Sequence, residues 1–193
     1  MDIAAMTYEL GVDVSKWQVP EKVDWVKFAA QGIKFVYARC SYGILEDTTF
    51  YRHAVRAMAK GIQVGGYQYL LPQVSAKLQA QKAKVFAQDF ALPFVLDVEQ
   101  RGLNSAVIDN WIGEFMTYQI PLMIYTSKFA WKDCYGLQPH PHGQHKLWVA
   151  NYTDASSPAI PSGWNHWDYW QYSSRGKLEG FAYNIDMNRR QQV

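Results

Sequence analysis

Short apolar runs alternate with amphipathic stretches along the first two thirds of the chain. The runs at 10–15, 33–41, 62–71, 94–99 and 121–127 are rich in β-branched and aromatic residues and bounded by turn formers, which predicts strands. Apolar positions at helical spacing fill the gaps and predict helices over 23–31, 48–60, 75–90 and 105–118. Gly32 and Gly61 close the first two, and Ser75 and Asn104 open the last two as caps. This βαβαβαβαβ order predicts an α/β fold on a parallel sheet, with enough units to close into a barrel. Beyond Ser127 the pattern changes. Strands are predicted at 146–152, 168–173 and 183–188, joined by loops rich in Pro, Gly, Ser and His in place of helices. Eight strands fit closure, although 193 residues is short for a complete (β/α)8 barrel of about 250. The expected architecture is a modified TIM-like barrel finished by bare strands.

Composition narrows the reading. A chain of 193 residues that is 49% hydrophobic can bury one substantial core. Residues 1–193 are therefore expected to form a single domain, with its core at about 10–188 and no room for a separate binding domain. The net charge of +2 is weak, and the lysines and arginines form no concentrated stripe, which argues against nucleic acid. Eight Trp and thirteen Tyr exceed what such a core requires. Flat amphipathic rings suit stacking on sugars, so carbohydrate becomes a natural ligand class. Cys40 and Cys134 have no metal-like spacing; Cys40 is expected as a small buried hydrophobe, and one bridge stays open. The start of the chain shows no secretory leader pattern, and no apolar run is long enough to insert in a membrane. The expectation is a product synthesised in the cytoplasm, or a secreted one whose leader is already gone.

The sharpest chemical signal is Asp97-Val98-Glu99 at the end of the apolar run Phe94-Val95-Leu96. Strand side chains alternate, so the two carboxylates share a face with backbones roughly 6–7 Å apart. In a poorly solvated site such neighbours separate their pKa values, leaving an acid beside a base. A barrel places its active site at the C-terminal strand ends. Asp13, Arg39, Ser41, Tyr67, Tyr69 and Tyr125 fall there, and Trp148, Asn151, Gln171 and Asp186 belong to the last three strands. Four acids, Asp13, Asp97, Glu99 and Asp186, thus converge from separated parts of the chain. His140, His142 and His145 lie in a Pro- and Gly-rich loop without an acid or cysteine at ligand spacing, so a solvated loop near the groove is expected and no metal. His53 and His166 are isolated, and Asp109 and Glu114 read as a solvated helix face.

Gly11-Val12-Asp13-Val14-Ser15, Leu96-Asp97-Val98-Glu99, Leu147-Trp148-Val149-Ala150-Asn151-Tyr152, Trp170-Gln171-Tyr172-Ser173-Ser174 and Asn184-Ile185-Asp186-Met187-Asn188 resemble, in order and spacing, glycoside hydrolase family 25. Gly65-Gly66-Tyr67-Gln68-Tyr69 and Met123-Ile124-Tyr125-Thr126 extend the resemblance over most of the chain. One departure is Lys82-Ala83-Lys84-Val85-Phe86, where the family usually carries a Gln-Ala pair before the Phe.

The resemblance implies a (β/α)5β3 barrel and a Chalaropsis-type lysozyme acting on bacterial peptidoglycan glycan strands, without a cofactor and as a monomer. It further implies Glu99 as general acid and Asp97 as the group that stabilises positive charge at the anomeric carbon or orients the substrate's acetamido group. Asp13 and Asp186 match the family's other acids, while Tyr67, Tyr125, Trp148, Arg39 and Gln171 match groove positions. Retaining, inverting and substrate-assisted routes all stay open. So do a phage lysin or a bacterial autolysin as the source, and a sugar-binding module that uses the same groove without catalysis.

Overall fold

The computed structural model describes residues 8–88, 90, 92–138 and 140–192; residues 1–7, where the leader pattern was sought, lie outside them. Among the described residues the strands are β1 (Tyr8–Val14), β2 (Ile33–Tyr42), β3 (Leu45–Glu46), β4 (Gln63–Tyr69), β5 (Phe94–Val98), β6 (Leu122–Ser127), β7 (Lys146–Ala150), β8 (Tyr169–Gly176) and β9 (Ile185–Gln191). The two-residue β3 only folds back on β2. The other eight follow one another around a ring that closes because β1 pairs with both β2 and β9.

The sheet is mixed, not wholly parallel. β9 runs antiparallel to β8 and to β1. The cause is the connection, residues 177–184, which is shorter than the dozen or more residues a parallel crossover needs.

Four helices occupy the predicted gaps: α1 (Trp25–Ala30), α2 (Phe50–Met58), α3 (Ala76–Ala87) and α4 (Ser105–Met116). Ser75 and Asn104 cap as expected, accepting from Leu78 N at 3.4 Å and Val107 N at 3.1 Å. The apolar pattern did not predict the fifth, α5 (Lys128–Tyr135), in which Trp131 is the one buried residue. Its punctuation was present, since Ser127 accepts from Ala130 N at 3.1 Å and Gly136 ends it at φ 68°. With α5 the count becomes (β/α)5β3. In the departing stretch of α3, Ala83 and Phe86 are buried while Lys82 reaches Glu46 at 3.2 Å, so it serves packing and surface.

Alternation along the strands divides the interior into two cores. On β5, Phe94, Leu96 and Val98 face outward into a shell shared with helix residues such as Phe86, Trp111 and Phe115. Val95 points inward, with Phe35, Tyr37, Met123, Tyr125, Trp148 and Tyr169. Two glycines make room for those rings. A Cβ on Gly11 would stand 2.3 Å from the Phe35 ring, and one on Gly65 would stand 2.2 Å from the Tyr37 ring. Gly65→Ala should therefore cost about 1–3 kcal/mol, at ~2–4 °C of melting temperature per kcal/mol for a domain this size. A thermal scan in which Gly65→Ala melts with the wild type would contradict the packing.

Candidate active site

The barrel interior is apolar in its middle and turns polar toward one end. There the inward positions carry Asp13 on β1, Arg39 on β2, Tyr67 on β4, Asp97 on β5, Tyr125 on β6, Trp148 on β7 and Gln171 on β8, with Glu99 just past β5. Asp186 arrives from the opposite direction. It lies near the start of β9, and because β9 is antiparallel it pairs in register with Asp13. All nine of these side chains line one cavity of about 370 Å³, within the usual range for small-ligand sites.

A hydrogen-bonded floor holds the acids. Asp13 Oδ2 accepts from Gln171 Nε2 at 2.9 Å and Asn188 Nδ2 at 2.8 Å. Trp148 Nε1 donates to Asn188 Oδ1 at 2.8 Å, fixing that amide. The hydroxyls of Tyr125 and Tyr152 donate to Gln171 Oε1 at 2.9 and 2.7 Å. Trp148 and Tyr125 are buried, so they brace Asp13 more than they offer a free ring face. The open rings are three aromatics not singled out from sequence: Trp17, 72% exposed, Tyr152, 56%, and Tyr42, 40%. Tyr42 stacks on Tyr69 with ring centres 4.9 Å apart, and Tyr69 donates to Gln100 Oε1 at 2.9 Å. Ser41 and Asn151, also at strand ends, are spent on structure: Ser41 Oγ accepts from Gln68, and Asn151 Oδ1 accepts from Ala159 N.

The four acids repel one another in a poorly hydrated space. Burial, then Glu99 and Asp13, push the Asp97 carboxyl well above its usual range, with only Arg39 opposing. Asp97 Oδ1 is buried and has no hydrogen-bond partner, a costly state unless a ligand completes it. Asp13 is raised by burial and Asp186, against the pull of Asn188 and Gln171. Glu99 is open to solvent at the cavity wall, yet crowding by the surrounding protein and then the charge of Asp186 raise its carboxyl too. Asp186 is raised by burial and held back by its bond with Asp13. Arg39 cannot neutralise this set, because its Nε is already paired with buried Asp47 at 3.0 Å. The cavity therefore retains protons that separate carboxylates would release.

Other expectations need correction. The His140–His145 loop is packed, not solvated, and it lies on the outer flank away from the cavity. His142 is buried, its Nε2 is 2.7 Å from Asp109 Oδ1, and His140 packs on Trp131 and Trp164. Asp109 is exposed and Glu114 half-exposed, as expected of a solvated helix face, and each also accepts a phenol: Asp109 from the Tyr135 hydroxyl at 2.6 Å and Glu114 from Tyr118 at 2.7 Å. Short range explains the miss: loop histidines look polar in sequence, and only the tertiary fold supplies Trp131 and Trp164 as a bed. His53 is fully buried with Nε2 2.8 Å from Gln18 O, and His166 is exposed. Both cysteines are free, and Cys40 is buried with its thiol donating to Tyr67 O.

The family described as Glycosyl hydrolases family 25 matches residues 12–181 of this chain. Lysozyme M1 of Streptomyces globisporus is 29% identical over 200 residues, covering 93% of this chain and 66% of the relative. The uncharacterized protein YegX of Escherichia coli (strain K12) is 31% identical over 196 residues, covering 92% and 68%. This chain thus spans about two thirds of the length of those relatives. Among solved structures, the bacterial lysozyme from Streptomyces coelicolor superposes with a TM-score of 0.84 at 27% identity, covering 97% of this chain and 94% of that one. Sequence match and barrel topology agree: the chain belongs to glycosyl hydrolase family 25.

Proposed function

We propose that this protein is a peptidoglycan hydrolase of the lysozyme type, an N-acetylmuramidase that cleaves the β-1,4 bond from N-acetylmuramic acid to N-acetylglucosamine. The observation that carries the reading is the gathering of Asp13, Asp97, Glu99 and Asp186 around one aromatic-walled cavity. Glycoside hydrolysis needs a protonated acid for the leaving oxygen and an ionised group for the positive charge at the anomeric carbon. Glu99 suits the first role. Its carboxyl is raised by crowding and by the Asp186 charge, which favours the protonated form over that of a free Glu, and it is open to the cavity, so it can deliver its proton to a bound glycosidic oxygen. Asp97 suits the second, one pleat deeper on the same face. Its unpartnered Oδ1 is available to the acetamido N–H in either protonation state and to the developing charge once Asp97 is ionised, which a proton retained by Glu99 favours because it removes the charge that bears on Asp97 most after burial.

Asp13 and Asp186 position the floor and share charge with the other two. Asp13→Asn and Asp186→Asn should each lower kcat by no more than ~10²-fold, the scale of a displaced group, not a missing one. Initial-rate measurements on purified peptidoglycan check this ordering; an Asp186→Asn enzyme as inactive as Glu99→Gln would require reassigning the acid. Release of soluble fragments from purified peptidoglycan tests the whole reading. Wild type should release them, whereas wall binding without release would replace it with a sugar-binding module.

A further inference from the structure

Asp47 does not line the cavity, yet it is buried behind it, and its carboxylate is the most heavily bonded near the site. Oδ1 accepts from Thr49 N at 3.0 Å and Thr49 Oγ1 at 2.7 Å. Oδ2 accepts from Lys16 N at 2.9 Å and Arg39 Nε at 3.0 Å. Four donors on one carboxylate tie the loop after β1, the inward face of β2 and the start of α2 to a single point. Burial by itself raises this carboxyl, but the Thr49 bonds, the Lys16 amide and the Arg39 charge more than reverse it, so Asp47 stays ionised.

Arg39 and Asp97 line the same cavity, and among the described residues Arg39 is the one cation bearing on Asp97. Those groups are Glu99 on its own strand, Asp13 from β1 and Arg39 from β2, with the phenols of Tyr67 and Tyr69 from β4 and Tyr125 from β6. We propose that Asp47 is a positioning residue of the hydrolytic site: by holding Arg39 in a buried ion pair, it limits how much of the guanidinium charge reaches Asp97. The inference rests on the hydrolase reading for its consequence in catalysis, and on geometry for the pairing itself. With Asp47 neutral, Arg39 answers to Asp97 alone, and Asp97 ionises at lower pH. With Arg39 removed, Asp97 keeps its acidic neighbours and loses its only opposing charge, so it ionises at higher pH.

The test is the titration of the Asp97 carboxyl carbon by ¹³C NMR, assigned by its loss in Asp97→Asn, alongside the pH profile of kcat/KM on soluble peptidoglycan fragments. Asp47→Asn should move the Asp97 titration and the acid limb of the profile down by about one pH unit, and Arg39→Gln should move both up. Thr49→Val, which removes one donor and no charge, should lower the melting temperature and leave the limb in place. Should Asp47→Asn not fold, Asp47→Ser, which removes the charge and keeps a hydrogen-bonding oxygen for the Thr49 and Lys16 donors, takes its place with the same expected downward shift. Reduced activity with an unmoved titration in the charge variants would show Asp47 to be scaffolding only and overturn the proposal. A wild type without turnover would sink the hydrolase reading instead, leaving the NMR titration to decide this one.

Discussion

Glu99→Gln is expected to lose ~10²–10⁴-fold in kcat, the usual worth of a positioned general acid, while its fold and its affinity for wall fragments persist. The amide is nearly isosteric and can still hydrogen-bond, but it has no proton to give to the departing oxygen. The side chain stands at the cavity wall just past β5, not in the packed interior, so the substitution removes no core contact. Crowding by the surrounding protein and the nearby Asp186 charge raise Glu99 in the folded protein, and replacing it also relieves Asp97, on which Glu99 bears most after burial. The variant should therefore melt no lower than wild type. Single-turnover assays on purified peptidoglycan with a parallel thermal scan check both halves. Comparable rates for Glu99→Gln and wild type would remove Glu99 from the acid role.

Asp97→Asn is expected to be nearly as inactive, by ~10²–10³-fold, because a neutral amide cannot face positive charge at the anomeric carbon. Its stability should move the opposite way from its activity. Asp97 is 5% exposed, its Oδ1 has no partner, and Glu99 and Asp13 crowd it. The sign follows from proton counting. An unfolded Asp ionises near pH 3.9, whereas the folded group holds its proton to higher pH. Above about pH 4 the native state therefore binds more protons than the unfolded state, and stability falls as pH rises. The variant lacks that penalty. It should melt close to wild type below pH 4 and progressively higher than wild type toward pH 7. Melting curves across that range decide the point; a gap that is constant with pH would mean Asp97 is not raised.

The architecture was legible where short-range physics is strong. Inward and outward positions alternate cleanly on β5, and Ser75 and Asn104 announce their helices. The acids were legible because Asp-x-Glu at the end of an apolar run has few structural uses. What escaped depends on distant partners. α5 buries only Trp131, so it carries no apolar stripe. The direction of β9 is set by the length of the loop before it and by pairing with β1, residues far apart in the chain. Asp47 sits in a turn whose local sequence offers only an Asp-x-Thr pattern. That pattern signals the bond to Thr49 N but not the arrival of Arg39 and Lys16. Trp17 lies three residues past β1 and Tyr152 two past β7, and that nearness to strand ends was the available clue to the cavity rim.

Hydrolysis at the muramic acid bond is tested most sharply by chemical identification of the ends the protein creates. Purified peptidoglycan is digested with wild type or Glu99→Gln, reduced with borohydride, hydrolysed and examined by mass spectrometry. Muramitol is expected from the wild-type digest and none above background from Glu99→Gln. Glucosaminitol in place of muramitol would contradict the assigned bond, and no new reduced ends despite wall binding would contradict hydrolysis itself.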